Sequence, residues 1–245
     1  MSILHRLLLL AWLLTLGTSL IIDLNVIDDH PPLKLSLRMA SSFILVLAAC
    51  VTITRVSQHL RPIAILVALG MFLGFLGDLA MAGLIGKGLF PSEAIGGMLF
   101  FGLGHLAYIT ASQVTRRKLQ LPANARWWLA IVVWQVIGFL NWYFVVARSE
   151  QHPALHYPAL GYGSLLAATA GITSALALLN RRFIWVALGA ALFLFSDAVI
   201  AVEMFQGSTP LLRFLVWATY GPGQMLIVYG FAYALRKNSQ PATSM

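Results

Sequence analysis

Apolar runs of about twenty residues, each closed by a short polar or basic stretch, follow one another along the whole chain. Eight can be marked, at about 7–23, 39–56, 62–83, 93–113, 127–147, 158–179, 183–204 and 211–234. A helix of ~20 apolar residues crosses the hydrocarbon layer of a bilayer. The pattern therefore predicts an all-α integral membrane protein with eight transmembrane helices, built as a single domain over residues 1–245. Two positions break the pattern: Asp78 inside the third run and Asp197 inside the seventh. An ionisable group at that depth costs at least ~2.5–3.5 kcal/mol on insertion scales, and it marks a functional site by default.

Composition sharpens the class. The chain is 60% hydrophobic and only 10% charged, where soluble domains carry roughly 25% charged residues. A net charge of +8 on a soluble protein would point to nucleic acid. Here the Lys and Arg residues sit at run ends and in loops, so they carry topology and imply no nucleic-acid partner. Eleven fall on the N-terminal side (Arg6, Arg55, Arg61, Arg116, Arg117, Lys118, Arg126, Arg181, Arg182, Arg236 and Lys237). Five fall on the other side (Lys34, Arg38, Lys87, Arg148 and Arg213). Both termini are thus expected to be cytoplasmic.

Met1 to Leu20 has a basic residue and a leucine run but no closely following small-residue cleavage site, so it reads as an uncleaved first span. Cys50 is the only cysteine, which excludes an intramolecular disulfide, and it is expected to pack as a small apolar residue. Asp23 to Pro32, with Asp28 and Asp29, reads as an outer turn. The tail after Arg236 reads as disordered.

The two aspartates sit in a repeat. Asp197 lies 119 positions after Asp78. The same offset lays Phe101-Gly102-Leu103-Gly104-His105 onto Tyr220-Gly221-Pro222-Gly223-Gln224 and brings Arg61 beside Arg181-Arg182. The simplest account is duplication of a four-helix unit, with pseudo-repeats of about 1–115 and 120–235. An even number of spans gives both copies one orientation, related by an axis along the membrane normal. The aspartates of spans three and seven then face each other near that axis. Each lies about sixteen residues into an outward-running span, hence in the outer half of the membrane at 1.5 Å per residue. Tyr220, Gln224, His105 and Asn141 come to a similar level, which predicts one outward-open polar cavity.

Two carboxyls in one dry pocket titrate as a pair, so one can stay protonated as an acid while the other stays ionised to steady a cation or activate water. The same pair could instead carry protons or cations in a small transporter, or only satisfy hydrogen bonds between helices. His105 and Tyr108, an i, i+3 pair on one helix face, could bind an aspartate or a substrate phosphate; His105 could equally make a structural inter-helix bond. Tyr220 and Gln224 flank Pro222, which either breaks span eight or marks close packing between small residues. Asn141 and Glu203 are weaker candidates for substrate contact. Zinc hydrolases commonly use three protein ligands, and His105 is the sole membrane-embedded histidine, so neither a metal nor another cofactor is expected. The chain has no nucleophile elbow, phosphate loop or zinc-binding helix motif.

Gly77-Asp78, Gly97 through Phe101, Gly104-His105 with Tyr108, Ser196-Asp197, and Tyr220 with Gln224, in this order, resemble the YhhN family, which includes the animal lysoplasmalogenases. Lys34 is a looser match. The resemblance implies an eight-span membrane hydrolase that cleaves the vinyl ether bond of lysoplasmalogens to a fatty aldehyde and a glycerophospho-alcohol. Asp78 and Asp197 carry over as the catalytic acids, and the implied partners are a lysophospholipid substrate and membrane lipids. The compact loops and the lack of organelle signals point to a bacterial inner membrane.

Overall fold

Helix starts are set by caps and prolines. Ser2, Ser92 and Asn124 each accept a hydrogen bond from the backbone N–H three residues on, which satisfies one of the orphan donors of a helix N-terminus. Pro31 and Pro62 occupy first-turn positions of their helices, where a missing N–H costs nothing. The resulting elements are α1 (Ile3–Asp23), α2 (Pro31–Ile53), α3 (Arg61–Met81), α4 (Glu93–Lys118), α5 (Ala125–Asn141), α6 (His156–Leu179), α7 (Ile184–Gln206) and α8 (Pro210–Asn238). α5 continues as a π-helical turn over Trp142–Ala147. The structure is a computed structural model that describes residues 2–24 and 30–238; the acidic turn residues Asp28 and Asp29 and the end of the polar tail lie outside the described residues. No strand occurs among the described residues.

Among the described residues, seven helices, α1 to α7 with their short flanking turns, are long and apolar enough to cross a membrane. α8 falls outside that set although it is 29 residues long. The reason is the stretch Tyr220 to Gln224 at its middle, which dilutes the apolar run. Of the two readings left open for Pro222, the break is not the one seen: the helix runs through it. α2 begins at Pro31, well before its apolar run, so Lys34 and Arg38 are helical. Cys50 is exposed rather than packed.

Each helix packs along the next, except that α4 turns to α6 and α2 reaches α8. The pattern returns four helices later: α2·α3 corresponds to α6·α7, and α2·α8 to α6·α4. Close approach of backbones fixes two of these pairs. A Cβ on Gly104 would stand 2.9 Å from the Gly70 carbonyl oxygen, and one on Gly223 would stand 3.0 Å from that of Gly189. Both contacts are separated by the same 119 positions as the aspartates. Large apolar side chains cover the outside, among them Leu7, Leu10 and Leu14 of α1 and Leu129, Val132 and Phe139 of α5. A soluble monomer does not expose such a surface; acyl chains are its natural solvent.

Candidate functional site

Asp78, near the end of α3, and Asp197, in α7, line one cavity of about 420 Å³. Its walls include Arg38, Met81, Phe101, Trp217 and Tyr220. That volume lies within the ~300–1,000 Å³ typical of small-molecule sites.

The two carboxyls are held differently. Asp78 is 5% exposed, with the hydroxyls of Ser42 (α2) and Tyr220 (α8) beside it. Its Oδ2 is buried and has no hydrogen-bond partner among the described residues. Asp197 is half-buried. Its Oδ2 accepts from the Tyr162 hydroxyl of α6, and its Oδ1 lies 3.2 Å from Ser196 Oγ.

A polar chain stands behind Asp78. Tyr108 OH donates to Gln224 Oε1 at 3.3 Å, and Gln224 Nε2 donates to Tyr220 OH at 3.1 Å. Tyr220 thus accepts from Gln224 and keeps its own hydrogen free to donate toward Asp78. Gln224 is 1% exposed and Tyr108 2%, so both support the site from within the bundle rather than from the cavity wall.

Two further cavities share walls with the first. One, of about 90 Å³, is lined by Asn141, Trp142, Tyr162, Leu194 and Phe205 and shares Met81, Phe101 and Asp197 with it. Most of its lining is apolar. The π-helical turn, which begins at Trp142, forms part of its wall, and such turns recur at functional sites. The other, of about 460 Å³, is charged: Asp23, Lys34, Arg38, Glu203 and Arg213 line it. Arg38, Glu203 and Trp217 belong to both this mouth and the aspartate cavity.

The structure therefore brings Asp78, Asp197 and Tyr220 together, places Asn141 in the adjoining apolar pocket, and sets Tyr108 and Gln224 one layer back. His105 is not with them. It lines none of the three cavities. Its Nδ1 lies 2.9 Å from Thr169 Oγ1 of α6, and its ring meets Phe193 edge-on at 4.5 Å. This is the inter-helix bond that the sequence left open as the alternative. Glu203, a weaker candidate from the sequence, lines the mouth. Sequence reasoning missed Tyr162, Ser42 and Arg38. Tyr162 carried a signal, an aromatic between Gly161 and Gly163, comparable to Tyr220 beside Gly221. No group of three or more histidine, cysteine or acidic side chains among the described residues could hold a metal.

The model of the YhhN family matches residues 33–231. The chain is also similar to the lysoplasmalogenase TMEM86B of Mus musculus, 27% identical over 144 residues, a match that spans 57% of this chain and 54% of that relative. No solved structure matches it.

Proposed function

The chain belongs to the YhhN family, and from that premise we propose that it is a membrane-embedded hydrolase of lysoplasmalogen-like lipids. It cleaves the vinyl ether bond to release a fatty aldehyde and a glycerophospho-alcohol. One observation carries the reading: two aspartates share a cavity that opens to a charged mouth on one side and to an apolar pocket on another. That is the outline of an amphiphile with its reactive bond in the middle. All eight helices cross the bilayer, the termini lie in the cytoplasm, and the bundle is a duplicated four-helix unit. The recurring neighbour pattern and the paired glycine contacts support that arrangement.

Roles follow from surroundings. Hydrogen bonds donated to a carboxylate favour its ionised form, so Asp197, which has a hydroxyl beside each oxygen, Tyr162 at Oδ2 and Ser196 at Oδ1, is the ionised partner. Asp78 has a carboxyl oxygen without a partner and is the acid. Its proton goes to the alkene carbon distal to the ether oxygen, which leaves an oxocarbenium ion. The Asp197 carboxylate stabilises that cation in a low-dielectric site. It then takes a proton from water as the water adds to the cationic carbon. In the hemiacetal so formed, Asp197 returns its proton to the glycerol oxygen as the carbon–oxygen bond breaks. Asp78 takes the hydroxyl proton, and both groups are restored. Two carboxyls divide the work in the same way in glycosidases.

The test is aldehyde release by purified protein from vinyl ether, saturated ether and ester lysolipids. Only the vinyl ether lipid should react. Absence of aldehyde from it, together with proton-coupled transport in liposomes, would replace the hydrolase reading with the transporter one.

A further inference from the structure

The charged mouth has no task in the reaction just described, and it is built differently from a surface topology anchor. There, cations splay out toward solvent. Here the side chains of Lys34 and Arg38 are only 21% and 14% exposed, and both are drawn onto Asp23, itself 9% exposed. Lys34 Nζ lies 3.2 Å from Asp23 Oδ1. The Arg38 guanidinium bonds Asp23 Oδ2, donates to Ser19 Oγ at 3.2 Å, and lies 4.7 Å from the centre of the Trp217 ring. Asp23 thus holds two cations in fixed positions at the rim of the aspartate cavity. Arg213, across the mouth on α8, is exposed and has no ion-pair partner among the described residues. Glu203 faces the same space and accepts from Ser208 Oγ at 2.6 Å. Among the described residues the lining carries three cations and two carboxylates, a surplus of one positive charge.

We infer that this mouth is the head-group subsite for a zwitterionic phosphate ester, a phosphate carrying an ammonium-bearing alcohol. Arg213 binds the phosphate, with Lys34 and Arg38 completing the positive wall. Arginine suits that task because its planar fork matches two phosphate oxygens at once. Glu203 takes the ammonium end. Arg38 lines both cavities, so a phosphate held there sets how far the glycerol ether reaches toward Asp78 and Asp197. This inference rests on the lysolipid reading above, yet it concerns binding and can be tested apart from turnover.

The experiment measures binding to purified protein of three ligands that no vinyl ether hydrolase can cleave. They are a saturated alkyl-glycerophosphoethanolamine, the alkylglycerol of the same chain, and chainless glycerophosphoethanolamine. The unsubstituted protein should bind the first most tightly. Arg213→Gln should weaken that ligand roughly tenfold or more, the worth of a charge-assisted hydrogen bond, and leave the alkylglycerol within about twofold. Lys34→Gln should act in the same direction. Glu203→Gln should also weaken the alkyl-glycerophosphoethanolamine and leave the alkylglycerol within about twofold. Equal weakening of lipids with and without phosphate would overturn the inference. Chainless glycerophosphoethanolamine binding as tightly as the lipid would overturn it in favour of a soluble phosphate ester. Aldehyde release is scored separately. Arg213-dependent binding without aldehyde sinks the hydrolase and keeps the subsite, whereas aldehyde without that dependence does the reverse.

Discussion

The surroundings of α3 and of α7 share a pattern of helix neighbours and fill it differently. Asp78 and Asp197 occupy equivalent places in α3 and α7, yet the hydroxyls around them are not equivalent. The helix preceding each aspartate contributes a neighbour, Ser42 from α2 in one half and Tyr162 from α6 in the other. Shifting Tyr162 back by the repeat offset gives Phe43, which is 45% exposed and packs against Phe75. The partner of Tyr220 is Phe101, which has no hydroxyl and lies with its ring 6.0 Å from that of Tyr220. On the proposed reading, these asymmetric hydroxyls are what separate two like carboxyls into an acid and an ion. Environment alone can make such a split.

Removal of the carboxyls themselves tests that split most severely. Asp78→Asn and Asp197→Asn should each lower the rate of aldehyde release by roughly 10²–10⁴-fold, the range of positioned acid–base groups. The double variant should be little worse than either single one, because groups acting as a unit are not additive. The halves part company on rescue. Formate should restore part of the lost rate to Asp197→Ala, since a small carboxylate can replace a missing stabiliser and base. It should not rescue Asp78→Ala, where a bound acid is missing. Equal rescue of both would erase the division of labour.

The hydroxyls come next. Tyr162→Phe takes away a hydrogen bond donated to an ionised group, worth ~1.5–3 kcal/mol, so the turnover number should fall roughly 10–100-fold. Tyr220→Phe removes a neighbour of the protonated partner. A neutral hydrogen bond is worth ~0.5–1.5 kcal/mol, and the fall should be the smaller of the two. Steady-state kinetics on both variants decides the order, and a reversed order would exchange the roles of the aspartates.

The glycine seams compare the halves by stability. A Cβ at Gly189 would meet the α8 backbone at two points, 2.6 Å from Gly223 O and 2.8 Å from Ile227 N. At Gly104 the nearest atom is Gly70 O at 2.9 Å and the next is 3.5 Å away. Overpacking of this kind costs ~1–3 kcal/mol. Gly189→Ala should therefore lower the melting temperature in detergent further than Gly104→Ala.

What could be read in the chain beforehand was what depends on one residue's burial. A run of apolar residues must lie in lipid, and an aspartate inside one must be sheltered, so the helices and both carboxyls were legible. Gly104 and Gly223, aligned by the repeat offset, each stand at a close backbone contact. Pairings across helices were not legible. Whether a serine at 42 or a tyrosine at 162 turns toward an aspartate depends on helix rotation, which an apolar run of low amphipathicity does not fix. Lys34 and Arg38 were read as loop cations because charge ends an apolar run. Their helix nevertheless starts at Pro31, and an ion pair with Asp23 shields them at the rim. Pro222 could not be decided for a related reason: whether a proline opens a membrane helix depends on whether neighbouring helices re-satisfy the freed backbone groups.

The finest comparison is between His105 and Gln224, which the repeat offset makes equivalent. Gln224 lies in the path from Tyr108 to Tyr220 and so reaches Asp78 through one intermediary. His105 turns the other way, to Thr169, and its Nε2 has no partner among the described residues. Gln224→Ala should then slow aldehyde release by breaking the chain that orients Tyr220, with KM little changed. His105→Ala should leave the turnover number close to that of the unsubstituted protein and act on stability instead. Polar contacts between membrane helices average ~0.6 kcal/mol. A double-mutant cycle of His105→Ala with Thr169→Ala should recover a coupling of about that size in unfolding, and none in kcat. A large loss of kcat in His105→Ala that Thr169→Ala does not share would bring the histidine back to the reacting atoms and require a different route from α4 to the cavity.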